Sequence, residues 1–185
     1  MTAMRNVHTR LFSASIEQIR PWMEAAWSAT DRDMFPRDVI PDWRRNPPGA
    51  DPLALLPGVT RVGHGPFSFR LVAWDGARWR VEVETAHYPG WHGFDLRPVD
   101  DGCEVTHTLE IDLQGLGRFV WPALMASIHD WAVEAAFDRL AHALATGSIP
   151  IRTERPMPWH ARAPYELLRT ARARRLRRIL RTVTT

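Results

Sequence analysis

Histidine is the residue type here best suited to acid and base work near neutral pH, and its placement in the chain is unusual. His92 and His107 fall on the apolar side of strands that alternate apolar and polar residues. His87 holds the same position on the strand before them, His64 precedes the first long strand, and His129 lies in the apolar arc of a long helix. Taken one at a time, each also reads as a neutral core histidine hydrogen-bonded to backbone or to a neighbour. Their convergence on one interior is what points to chemistry. His92, His107 and His129 are therefore the leading candidates for proton transfer, with His64 next. No short His-x-x-x-His spacing is present, so neither a metal nor another cofactor is expected.

Other residue types narrow the chemistry further. All 24 basic residues are arginine, which removes Schiff-base lysines, pyridoxal anchors and phosphate-loop lysines. Cys103 is the sole cysteine, excluding an internal disulfide or a Cys-rich zinc site, and it favours a reducing, cytoplasmic setting. No Gly-x-Ser-x-Gly element and no glycine-rich nucleotide fingerprint occurs. Asp130, Glu134 and Asp138 recur at helical spacing, a pattern that reads as a solvated acidic face rather than a paired-carboxylate hydrolase. The nine tryptophans exceed ordinary core use, and eight of them precede residue 148, where flat aromatic walls suit a planar apolar ligand.

The elements that must position these residues follow from periodicity. Val7 to Phe12 reads as a first strand, and Ser15 with Gln18 as a capping box opening a helix to about Ala29. Six prolines between Pro36 and Pro57 make the next stretch mostly loop and short helical turns. The period then becomes two, and a meander follows with strands Phe67–Trp74, Arg78–His87, His92–Pro98 and Cys103–Leu113. Phe69 opposite Val83 places Arg70 opposite Glu82, and a turn at Asp100–Gly102 places His107 opposite Leu96 and His92 opposite Ile111. A long helix from about Arg118 to Ala145 stops at Gly147, and its wide apolar arc calls for a sheet wrapped around it.

The net charge of +3 conceals two unlike parts. Residues 1–147 carry 14 Arg against 19 Asp and Glu, a balance of −5, whereas residues 148–185 carry 10 Arg against two Glu, a balance of +8. The reading is a ligand-binding domain over 1–147, a proline-rich linker over 148–164, and an Arg-rich amphipathic tail helix over 165–185. The tail suits docking on the acidic body, on a second copy, or on an anionic surface, whereas nucleic acid is not expected as a partner. Met1 to Phe12 lacks the apolar run of a signal peptide, and no stretch approaches the roughly 18 apolar residues of a membrane span.

The order of strand, two short helices, long loop, antiparallel meander and long C-terminal helix resembles the α+β helix-grip fold of the START-related SRPBCC superfamily. Gly63-His64-Gly65-Pro66, Trp91-His92-Gly93-Phe94, Glu104-Val105-Thr106-His107-Thr108-Leu109 and Ile128-His129-Asp130 are similar to segments of its bacterial polyketide-cyclase/dehydrase-like members. The resemblance spans roughly residues 5–146 and has no counterpart for 150–185. It implies a seven-stranded sheet, with a strand hidden in residues 50–66. It also implies a cavity between sheet and helix for a small apolar ligand, lined by Trp79, Phe69, Val81, Phe94, Leu109, Trp131 and Trp91. Cofactor-independent cyclisation or dehydration by the histidines is the enzymatic expectation. A non-catalytic carrier or sensor of lipids or small molecules, with a membrane- or partner-binding tail, is the alternative.

Overall fold

The computed structural model of the protein describes residues 2–25, 44–46, 57–58, 61–64, 67–85, 88–150 and 155–169. Strand β1 (Thr2–Phe12) leads into helix α1 (Ile16–Ala25), and strands β2 (Arg44–Asn46) and β3 (Arg61–His64) follow. The meander is β4 (Phe67–Trp74), β5 (Arg78–Val83), β6 (Gly90–Val99) and β7 (Gly102–Leu113). A helical run then comprises α2 (Gly117–Val120), a π-helical turn (Trp121–Met125) and α3 (Ala126–Thr146), before α4 (Trp159–Arg169). The strands form one antiparallel sheet in the order β1-β7-β6-β5-β4-β3-β2. The sheet thus has the implied seven strands: β3 lies in the stretch where one was sought, and β2 falls in the proline-rich stretch read mostly as loop and short helical turns. The second short helix expected after β1, residue His87 and the Arg-rich residues 170–185 lie outside the described residues.

Local chemistry explains the helix ends. Gln18 Oε1 accepts the Ser15 N–H at 2.9 Å, one half of a capping box. Pro122 has no N–H to donate, and the chain widens into a π turn around it. Gly147 closes α3 at φ 74°, a left-handed conformation that favours glycine, with its N–H on Ala143 O at 2.8 Å. Helix α3 packs across the concave face of the sheet, and Phe137 and Leu140 meet Phe12, Trp79, Val81 and Phe94 in one buried core. This is the helix-grip architecture, an α+β fold.

The β4–β5 hairpin pairs Phe69 with Val83 and Arg70 with Glu82, as the charge pattern requires, and the two charged groups form an ion pair. The β6–β7 hairpin differs from the sequence expectation. Val99 pairs with Gly102, so the loop is only Asp100-Asp101, and the strands slide by two residues. His107 consequently faces Phe94 rather than Leu96, and His92 faces Leu109 rather than Ile111.

Strand β1 is an edge strand whose faces run against its hydrophobicity. Pairing with β7 sets His8 opposite His107, Arg10 opposite Val105 and Phe12 opposite Cys103, so Met4, Asn6, His8, Arg10 and Phe12 share the concave side. Val7 and Leu11, on the opposite side, are exposed at 43% and 67%.

Candidate functional site

Most of the interior under α3 is apolar, and His92 and His107 are among the few polar side chains buried in it. His92 on β6 and His107 on β7 are diagonal neighbours at 6% and 1% exposure, and His92 Nδ1 stands 3.4 Å from His107 Nε2. Aromatic rings enclose them: Phe69 is 4.8 Å and Trp79 5.6 Å from the His92 ring, and Phe94 is 4.7 Å from that of His107, centroid to centroid. His129, from the first turn of α3, brings its ring to 5.2 Å from His107 and 5.8 Å from Trp121. His8, from β1, is 6.5 Å from His107 and 6.3 Å from His129. A continuous chain of imidazoles therefore runs from the core to the β1 edge.

The chain ends on carboxylates. His8 Nδ1 is 2.8 Å from Glu134 Oε1, and its Nε2 is 3.3 Å from Asp130 Oδ1. Asn6 Nδ2 donates to the same Asp130 oxygen at 2.9 Å. Arg10 Nη2 donates to Glu134 Oε2 at 2.6 Å and Arg10 Nη1 to Asp138 Oδ1 at 2.5 Å, with its guanidinium 5.3 Å over the Phe137 ring. The acidic stripe of α3 is thus not the solvated face its spacing suggested. It is paired with the polar concave side of β1, because helix and edge strand close on each other there.

Electrostatics differ sharply along the chain of rings. Desolvation, then the neighbouring rings of His129, His92 and His8, holds His107 well below the usual imidazole value, so it is neutral at physiological pH. Burial also lowers His129, and nearby Asp130 offsets this only in part. The hydrogen bond to Asp130 raises His8 against its own desolvation. Burial would raise Asp130, but His129 and His8 outweigh it and hold the carboxyl below its ordinary range.

The aromatic residues assigned to a ligand divide into two groups. Phe69, Trp79, Val81, Phe94 and Leu109 are buried on the concave face around His92 and His107. Trp91 is on the other face, opposite Glu82 and Glu110, with the Arg80 guanidinium 4.2 Å over its ring. Trp131 faces away from the sheet and packs with Ala132, Ala135, Ala161 and Met157. His64 ends β3 opposite Phe67, and its side chain lies outside the described residues. His8, Asn6 and Arg10 are site residues the sequence reading missed. The available signal was their shared parity with Met4 and Phe12.

The segment after α3 folds back on the same helix. Arg155 Nε donates to Asp138 Oδ2 at 2.5 Å, Ser127 Oγ donates to the His160 carbonyl at 3.0 Å, and Ala161 of α4 is buried against Trp131 and Ala135. Helix α4 therefore starts earlier than the tail helix read from the sequence. Desolvation would raise Asp138, but Arg155 and Arg10 outweigh it and lower the carboxyl below its ordinary 3.8. A depressed carboxylate contributes stability that is present above the unfolded value and lost as pH falls through the folded one. Amide exchange in α4 is accordingly expected to accelerate below about pH 4. Asp138→Asn should reproduce this at neutral pH, by a partly screened amount of roughly 0.5 kcal/mol per pair. Exchange in α4 unchanged by either would show that the Asp138–Arg155 pair does not hold this segment on α3.

Comparison with known proteins bears on the fold. No protein-family model matches the chain, and no curated protein matches it. Solved structures do match. Ara h 8.0201 superposes with a TM-score of 0.54 at 9% identity, covering 78% of this chain and 99% of that one. A point mutant of norcoclaurine synthase from Thalictrum, in complex with a transition-state analogue, gives 0.52 at 12% identity, covering 79% and 96%. A Thermobifida fusca protein solved by NMR gives 0.51 at 18%, covering 78% and 94%. These likenesses define the fold alone, an α+β helix-grip fold. No helix among the described residues is long and apolar enough to cross a membrane.

Proposed function

We propose that the protein binds a small apolar molecule, aromatic, polyketide-like or lipid, between the concave face of the sheet and α3, and acts on it by cyclisation or dehydration. One observation carries this reading. Two histidines in mutual contact are buried among Phe69, Trp79, Phe94 and Leu109, where a folding-only interior would hold apolar residues. The structural likeness to a norcoclaurine synthase in complex with a transition-state analogue supports it at the level of fold.

In the reaction, one imidazole removes a proton from a carbon flanked by carbonyls, and the resulting enolate attacks a second carbonyl of the same chain. The imidazolium so formed returns its proton, through the neighbouring ring, to the alkoxide. In dehydration an imidazole takes a second carbon-bound proton and passes it to the departing hydroxyl, which leaves as water. His107 is the base, being neutral, with His92 and His129 beside it to return the proton, and the aromatic walls fix the chain in a reactive fold.

Native mass spectrometry of the protein purified without denaturation is the direct test. A stoichiometric apolar adduct, displaced by an added aromatic probe such as 1-naphthol with a change in tryptophan fluorescence, is the expected result. Protein that carries no adduct and shows no fluorescence response to the probe overturns the reading.

A further inference from the structure

We propose that His8, His129 and Asp130 form a binding site for a divalent transition metal ion of the zinc class, clamped between edge strand β1 and helix α3. One ligand atom from each residue lies within 4.8 Å of those of the other two. Asp130 Oδ1 is the common vertex, 3.3 Å from His8 Nε2 and 3.7 Å from His129 Nδ1. Metal bonds of about 2.0–2.1 Å in tetrahedral arrangement place ligand atoms about 3.3 Å apart, so these separations need little closing. Two imidazoles and one carboxylate suit zinc and its first-row neighbours rather than calcium or magnesium, which take oxygen ligands.

The surroundings of the cluster argue for more than an ion-pair network. Glu134 Oε1 meets the far nitrogen of His8 at 2.8 Å, and its Oε2 accepts from Arg10 Nη2 at 2.6 Å. A carboxylate on the distal nitrogen is the support that metal-bound histidines commonly have: it fixes the tautomer and turns the Nε2 lone pair toward the ion. Independently, two imidazole nitrogens in this region have no hydrogen-bond partner although shielded from solvent: Nδ1 of His129, and Nδ1 of the fully buried His107. Such groups are costly to bury unsatisfied. Coordination would satisfy His129, whose ring centroid is 5.2 Å from that of His107. The absence of short ligand spacing in the sequence does not count against the site, because its ligands come from elements at opposite ends of the domain. The site shares His129 with the reaction proposed above, and a metal-bound His129 would leave His92 to return the proton; binding of an apolar molecule between sheet and helix does not depend on the metal.

The test uses the full chain, stripped with a chelator, dialysed and titrated with zinc chloride by calorimetry, with metal content measured by mass spectrometry. One zinc per chain is expected, and Co²⁺ in its place should give the visible absorption of a tetrahedral nitrogen and oxygen site. His129→Gln and Asp130→Asn should each lower affinity at least about 100-fold, and Glu134→Gln about 10- to 100-fold with stoichiometry kept. His160→Gln, an exposed histidine outside the cluster, should leave binding unchanged. Circular dichroism checks that each variant is folded, and a variant that fails is replaced by His8→Gln. Failure of the wild-type chain to retain zinc, or equal retention by folded His129→Gln and Asp130→Asn, overturns the proposal and leaves His8 as an imidazolium clamp between two carboxylates.

Discussion

Gly93→Ala is expected to destabilise the fold by about 3 kcal/mol, which for a chain of this size lowers Tm by roughly 6–12 °C. The reason is steric and lies in backbone. A Cβ at position 93 would stand 2.0 Å from the Trp79 carbonyl oxygen and 3.1 Å from Arg80 Cα, on the strand that pairs with it. A side chain in the way can change rotamer, but a neighbouring strand cannot, so β5 and β6 must separate locally. The pairs flanking Gly93 are Trp79 with Phe94 and Val81 with His92, and separation at this point loosens the core and the histidine site together. Leu116→Ala, at 55% exposure, is the matched surface control and should stay within about 0.5 kcal/mol. Thermal and urea unfolding followed by circular dichroism measure both. An unshifted midpoint for Gly93→Ala would mean that the two strands are not packed this tightly.

Gly93 lies in a part of the chain whose architecture was open to sequence reading. Along most of the meander polar and apolar residues alternate, with a break at Leu71-Val72-Ala73 where the β4–β5 register shifts, and at Arg70 and Glu82 opposite charges fix the hairpin register as well. The β6–β7 pairing shows the limit of that signal. A slide of two residues keeps every side chain on its own face, so alternation reads the same in either register, and only the choice of loop length separates them. The slide matters, because it changes the cross-strand partners of His92 and His107.

Strand β1 was harder for a different reason. Val7 and Leu11 are its aliphatic residues and they face outward, whereas Asn6, His8 and Arg10 face inward because the acidic stripe of α3 awaits them. Neither half of that match is recognisable alone. An acidic stripe looks solvated, and a polar strand side looks exposed, until the helix is laid against the edge strand. Trp131 carries the same lesson. Helical periodicity puts it in an apolar arc, but the arc is wide enough to serve both the sheet and α4, and Trp131 serves α4.

The double variant His92→Leu/His107→Leu is expected to keep or raise Tm while losing the bound ligand. At 3.4 Å the contact between the two imidazoles is longer than a normal hydrogen bond and contributes at most about 1 kcal/mol. His107 Nδ1 has no partner, and desolvation keeps the ring neutral, so the site carries an unmet polar group for no evident gain in stability. Replacing both partners by apolar residues of similar size removes that cost and adds apolar contact with Phe69, Trp79 and Phe94. His107→Leu alone is the weaker test, because it removes the nitrogen facing His92 without removing His92. Thermal unfolding and native mass spectrometry on the same preparation separate the two roles. A double variant that loses about 2 kcal/mol or more yet still binds its apolar adduct would make these histidines structural. One that is stable and empty would make them the polar end of the binding site, retained for what they do to the ligand.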